Sequence, residues 1–385
     1  MNTLPLPKRA SVVIIGGGVQ GLSVAFNLVE RGQKDILVLD AGYWQGGASG
    51  RNGTLIRPGF ASVPWTELFI LTVDEWRSWS KRLGENVMFT QRGYSVVSEA
   101  EKSEAMLLEG LKVQQSLGVN SRMLSRREID DLLPAINKAR VRAVQHQPDG
   151  GVAPHHAVMK GLLAFCQRNG VDVRYRTKIS GLERTGPRVS AVLAGDHRIE
   201  ADCIVSCAGP NNPDIAAMAA VPLNGFGMRI EAMALEPTRP LIKPAIALID
   251  SLAYFHQTAR GEVVGGTEVP ERPRMSLKVD VPVMANMAKV YLEMFPQLGE
   301  VRILRHWAGQ FHASTDYAPL LGEHPDLKDL WFSAGWSYGF AGAPAAGRLL
   351  AEAIAKGRID RRMKPFALDR FEKTGPIVEG GIVLA

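Results

Sequence analysis

Along the first forty residues the hydrophobic pattern changes period twice. Val12, Val13, Ile14 and Ile15 form an unbroken apolar run of the kind buried on both faces of a parallel sheet. A glycine-rich turn follows, after which Gln20 to Arg31 carries apolar residues at helical spacing and stops at Gly32. Ile36 to Leu39 is a second apolar run, so the segment predicts a βαβ unit. Helices are predicted near Trp65 to Leu83 and Ala100 to Gly118, separated by a strand at Gly93 to Ser98. A second α/β block is expected from a helix at His156 to Asn169, strands at Asp172 to Tyr175 and Ser190 to Ala194, and the run Cys203 to Ser206. From Met228 to Arg305 the chain reads as β-rich, as at Met228 to Leu235 and Tyr254 to Gly265, with one helix near Met284 to Phe295. Leu330 to Ser333 reads as a strand, and Pro344 to Lys356 as a helix closed by Gly357. Trp76 and Trp79 fall on one helical face and are expected to pack rather than bind ligand.

Composition narrows this picture. A chain of 385 residues allows two or three domains, and 46% apolar with 22% charged residues is the balance of an ordinary globular protein. The net charge of +6 comes from scattered residues, densest at Arg358 to Lys364. No basic stripe carries interleaved aromatics, so a nucleic-acid partner is not expected; anionic cofactors or small acids account for the excess. Cys166, Cys203 and Cys207 have neither disulfide-framework nor metal-ligand spacing, and no metal is expected. No run approaches the roughly 18 apolar residues of a membrane span, and Met1 to Ala10 lacks a cleavage site. A cytoplasmic location is the expectation.

The chemistry begins at Gly16, Gly18 and Gly21. This G-x-G-x-x-G turn, with Val19 and Gln20 inside it, sits directly between strand and helix, and Asp40 ends the next strand nineteen residues later. Gly16 permits the tight turn, Gly18 lets backbone reach a pyrophosphate, and Gly21 lets helix pack on strand. The helix N-terminus offers free N–H groups to phosphates, and Asp40, followed by Ala41, can accept from a ribose. A nicotinamide enzyme would continue with further βαβ crossovers. Here the small-residue stretch Gly46 to Arg57, GGASGRNGTLIR, interrupts that rhythm. Two late segments, Cys207-Ala208-Gly209-Pro210 and Gly335-Trp336-Ser337-Tyr338-Gly339-Phe340, again follow apolar strands. Three glycine-rich approaches to one extended ligand point to FAD; plain surface turns are the alternative. Ile179 is also expected on the cofactor side. The fold class expected is α/β, a Rossmann-like FAD-binding domain (1–80, 145–225, 325–385) interleaved with an α+β substrate domain (81–144, 226–324) carrying an antiparallel sheet.

At these residues the chain resembles the FAD-dependent D-amino-acid oxidase superfamily, within it the branch of heteromeric sarcosine oxidase β subunits, opine oxidases and proline dehydrogenases. The resemblance rests on VVIIGGGVQGLSVAFNL at 12–28, SGRNGTLIR at 49–57, VMFTQRG at 87–93, GGVAPHHAV at 150–158 and GWSYGFAGAPAAG at 335–347. It implies oxidation of the C–N bond of a small amino or imino acid (opine, proline or hydroxyproline, or N-methyl amino acid) by hydride transfer to FAD. It also implies a larger α subunit and a small iron–sulfur subunit as partners. A self-sufficient monomeric D-amino-acid or glycine oxidase or dehydrogenase is one alternative, and an inactive electron-relay subunit another. The resemblance places a substrate-binding arginine at Arg57, where a guanidinium can hold a carboxylate bidentately; a structural ion pair is the alternative. Gly47, Ser49, Gly50, Arg51, Asn52 and Gly53 are implied to position the flavin. Tyr254, His256 and Tyr338 are substrate-contact candidates, the first two sharing a strand face. His155 falls where the branch holds a second flavin, FMN, at a subunit interface, with a helix cap as the bland reading. One departure stands out: where the sarcosine branch carries lysine in a G-F-K pattern, Ala341 follows Phe340. That argues against a simple sarcosine oxidase and against direct oxygen reduction.

Overall fold

The computed structural model describes residues 5–267 and 276–380. Strand β1 (Arg9–Ile15) lies inside an eight-stranded sheet, paired in parallel with β2 (Ile36–Asp40) on one side and with His197–Ser206 on the other. Val12 to Ile15 are all buried, as expected where helices cover both faces. Asp172–Tyr175 pairs with β2, while Leu327–Ala334 and Arg188–Ala194 extend the other side. The sheet therefore gathers strands from 9–40, 172–206 and 320–334.

A second eight-stranded sheet runs in the order Ile303–Ala313, Phe226–Leu235, Val263–Gly266, Ala253–Gln257, Ala245–Leu248, Tyr94–Ser98, Ala143–Gln147, Arg122–Met123. Its pairings are antiparallel except that of Ala245–Leu248 with Tyr94–Ser98. The apolar stripe of Val281–Met294 covers one face, and Tyr291 meets Phe255 edge-on at 4.6 Å.

Helix α1 (Val19–Glu30) packs along Gly339–Lys356, and α2 (Val63–Leu83) buries Trp65, Phe69, Trp76 and Trp79 beside them. The indoles of Trp76 and Trp79 lie 4.7 Å apart in this core. All three cysteines are free and buried. Among the described residues no helix is long and apolar enough to cross a membrane, and no cluster could hold a metal ion.

Two elements differ from the sequence reading. The last long helix begins at Gly339, five residues before Pro344. A proline near a helix start removes one hydrogen bond without ending the helix. The stretch Tyr254 to Gly265 is two strands, Ala253–Gln257 and Val263–Gly266, with Gly261 at φ +101° in the turn.

Helix α1 and the last helix can approach closely because Gly347 has no side chain. A Cβ there would lie 2.2 Å from Ser23 Oγ, which donates to Ala343 O at 2.8 Å. Gly347→Ala is expected to destabilise the protein by about 2 kcal/mol through overpacking, read as a lower urea midpoint at unchanged m-value.

Candidate cofactor and substrate site

At the end of β1 the chain turns within three residues. Gly16 has φ +111°, and a Cβ there would sit 2.3 Å from Cys207 O; one at Gly21 would sit 1.9 Å from Gly16 O. Backbone thus meets backbone on both sides of the turn. The N-terminus of α1 opens into a cleft of about 470 Å³. Its lining includes Gly16, Gly18, Val19, Gln20, Asp40, Ala41, Gly47, Ser49, Arg51, Asn52, Ile179, Ala208, Gly209, Gly335, Ser337, Gly339 and Phe340. Four other candidates take different places. Gly21 packs beneath the turn, Gly50 abuts Gln45 O, Gly53 faces the Tyr254 ring, and His155 starts the helix His155–Arg168 beside His156.

Hydrogen bonds explain why the cleft has this shape. Asp40 accepts from Gly17 N and Gly42 N, each at 2.7 Å, and so braces the two turns between which it sits. Each carboxylate oxygen keeps a further lone pair for a ligand hydroxyl. Gly18 cannot cap α1 with a side chain, and Ser49 Oγ instead accepts from Val19 N at 2.9 Å. Asn52 donates to Ser49 O at 2.6 Å and accepts from Thr54 N at 2.8 Å, which fixes the 49–54 turn. Arg51 donates to Gly46 O and Ala308 O, while Trp307 Nε1 donates to Arg51 O. Gln20 reaches across to the late segment, donating to Gly339 O and accepting from Ser333 Oγ.

The cleft fits FAD on its own features. It opens on a helix N-terminus and offers a carboxylate one strand away. At Gly47 and Gly209 an added Cβ would meet nothing within 4 Å, so bare backbone faces open space there.

Arg57 follows the cleft-lining stretch that ends at Asn52 but is not itself part of the lining; its guanidinium packs on Tyr338, which stands between the lining residues Ser337 and Gly339. The arginine is buried, with Cζ 4.0 Å from the ring centre of Phe60, 5.3 Å from Tyr94 and 5.2 Å from Tyr338. Burial opposes its charge, but Tyr338, Tyr94 and Glu379 outweigh that and hold its pKa above the ordinary value. Burial pushes the phenols of Tyr94 and Tyr338 up against the pull of the same guanidinium, so both stay protonated. Tyr254 and His256 both meet the 53–54 segment: a Cβ on Gly53 would lie 2.5 Å from Tyr254 Cε2, and His256 Nε2 is 3.4 Å from Thr54 Oγ1. Burial lowers the His256 pKa to about 4, so its ring is neutral at neutral pH.

Several residues of the site escaped the sequence reading. Tyr94 stands directly after the FTQRG segment, so its position was within reach. His312 accepts from Gly335 N at 3.0 Å through Nδ1, which puts its proton on Nε2, and burial lowers its pKa to about 4. Glu379 and Phe60 had no local signal, because only tertiary folding brings them to Arg57.

A cleft at the C-terminal ends of parallel strands, with a glycine turn on a helix N-terminus, defines a Rossmann-type dinucleotide-binding protein. Residues 11–353 match the family described as DAO, FAD dependent oxidoreductase, and the chain belongs to it. It is an FAD-dependent oxidoreductase. The chain is 28% identical to sarcosine oxidase subunit beta of Rhizobium meliloti over 98% of its length and 92% of the relative. It is 27% identical to the same subunit of Rhodobacter capsulatus over 97% of its length and 91% of the relative. Among solved structures, L-proline dehydrogenase from P. horikoshii superposes with a TM-score of 0.91 at 24% identity, covering 97% of this chain and 100% of that one. Glycine oxidase from Geobacillus kaustophilus gives 0.86 at 17% identity, covering 94% and 99%. At these identities both structures speak to the fold.

Two predictions follow from the local chemistry. Ser49→Ala removes the hydroxyl that accepts from Val19 N and should weaken FAD binding by about tenfold, corresponding to roughly 1.4 kcal/mol, measured by titrating apoprotein with FAD. His256 and His312 are neutral when folded down to about pH 4 but protonate near 6.5 when unfolded. The unfolded chain therefore binds more protons between these values. Stability should fall on acidification through that window, by up to about 1.4 kcal/mol per pH unit for each ring, and His312→Gln should flatten the slope in urea melts.

Proposed function

We propose that the chain oxidises the C–N bond of a small amino or imino acid, with Arg57 holding the substrate carboxylate. The observation that carries this reading is a buried guanidinium boxed by Phe60, Tyr94 and Tyr338, with Tyr338 set between two cleft-lining residues. A buried cation of this kind is a bidentate receptor for a carboxylate, and its rings exclude water around the bound acid. FAD, when bound, would supply the two-electron acceptor for hydride from the carbon that bears nitrogen. The protein's part is orientation. Gly46 to Asn52, Gly209 and Gly335 to Phe340 hold the cofactor, Arg57 fixes one end of the substrate, and the apolar surroundings favour an uncharged amine. Neutral His256 and protonated Tyr254, buried against Gly53 and Thr54 outside the cleft lining, remain candidates for contact with the substrate nitrogen or its substituent. The imine formed then leaves and hydrolyses.

Relatives named as beta subunits support a role as one subunit of a larger assembly; a larger α subunit and a small iron–sulfur subunit are the partners proposed for it. His155, half-buried at its helix start outside the cleft lining, is the candidate contact for FMN at such an interface. At position 341 the side chain is a buried methyl, and the carbonyl accepts from Trp76 Nε1 at 2.9 Å. The absence of an ammonium group there favours a dehydrogenase passing electrons to a partner over an oxidase reducing oxygen.

Anaerobic addition of proline, hydroxyproline, N-methyl amino acids or opines should bleach the flavin absorbance with at least one class. If a fully FAD-loaded complex is reduced by none of them, the substrate reading fails. Arg57→Gln should lower kcat/KM by about 100-fold or more, from loss of roughly 3 kcal/mol of charge-assisted binding, mainly through KM.

A further inference from the structure

The end of the chain folds back onto the site through a fixed set of contacts. Arg370, 1% exposed, donates to both carboxylate oxygens of Asp316, at 2.6 and 3.0 Å, and to the carbonyls of Pro319 and Ala318. Asp316 Oδ2 also accepts from Ile377 N at 2.8 Å, which aims the following residues. Two residues further on, Glu379 accepts from Ala61 N at 2.5 Å and from Ser62 N at 2.9 Å. Those two N–H groups lead into α2, whose cap residue Ser62 makes no side-chain bond of its own. Glu379 and Arg57 line one small cavity, together with Phe60, Gln114 and Gln145.

The geometry is that of an acid group presented, from the protein's own chain, to the guanidinium assigned to the substrate's acid group. Two charges that line one small, partly open cavity, one of them on a buried side chain, are screened less than a surface pair. A tethered carboxylate also competes at an effective concentration in the millimolar range or above. We propose that Glu379 is an internal competitor for Arg57, and that the tail must release Ala61 and Ser62 before a substrate carboxylate binds fully. This rests on the assignment of Arg57 as the carboxylate receptor. The tail is then a specificity device: a ligand gains entry only if its acid group outcompetes the one already installed. Neutral amines gain nothing from displacing it.

The test uses the FAD-loaded full chain, in complex with its partners where these co-purify. The probe is cyclopentanecarboxylate, a small acid without an amine, followed by the flavin difference spectrum. Glu379→Gln and a truncation after Thr374 should each tighten probe binding about five- to tenfold. In the unmodified protein, saturating probe should speed tryptic cleavage after Lys373, the last basic residue before the tail, by a similar factor. Unchanged or weaker binding in whichever variant folds, or a cleavage rate indifferent to the probe, overturns the competitor role. Arg57→Gln separates the two readings. Loss of probe binding there, with Glu379→Gln unaltered, keeps the receptor and rejects the competitor, whereas wild-type binding by Arg57→Gln rejects the receptor itself.

Discussion

The site depends on one approach of backbone to backbone at Gly16. Its N–H donates to Leu39 O at 2.8 Å, while Cys207 N donates to Ile15 O at 2.7 Å just beside it. The turn is thereby clamped between the strands on either side of β1. Any side chain at Gly16 would collide with the Cys207 carbonyl. Because the clamp admits none, the start of α1, the end of β2 and the segment after Ser206 all converge within one residue's width. The cofactor cleft is the space left over where those three chain reversals diverge again.

A second constraint acts at Arg57. Its burial would be costly without compensation, and the structure compensates with aromatic faces and the nearby Glu379 carboxylate. The aromatic box also belongs to the core. Phe60 stacks on Trp65 at 4.9 Å, and Tyr338 meets Phe60 edge-on at 5.3 Å. Packing of α2 and chemistry at the guanidinium are thus one arrangement, and a mutation in either is felt in both.

How much of this was legible in the sequence follows from the range of each interaction. The βαβ unit is local: four apolar residues, a glycine turn and a helix that stops before Gly32 lie within thirty residues, so periodicity and turn chemistry read it correctly. The same holds for the glycine-rich segment at 46–57 and for the two late returns at 207–210 and 335–340. The start of the last helix was misplaced because Pro344 is a stronger local signal than the Gly339 contact with Gln20, which comes from the other end of the chain. Roles within the cleft blurred for the same reason. Asn52 lines the cleft, but its amide also donates to Ser49 O and accepts from Thr54 N, partners that its sequence position does not announce. The partners of Arg57 come from positions 60, 94, 338 and 379, and no window of residues contains them all.

The first sheet places β1 next to a strand made some 180 residues later, and that strand next to one made still later, at Leu327–Ala334. On the ribosome, the glycine turn therefore emerges long before the walls that complete it. Nascent chains must keep an exposed apolar β1 soluble until nearly the whole polypeptide is out. The part of the cleft lined by residues 207–215 and 333–340 is accordingly absent from an N-terminal fragment, however well its glycine turn forms.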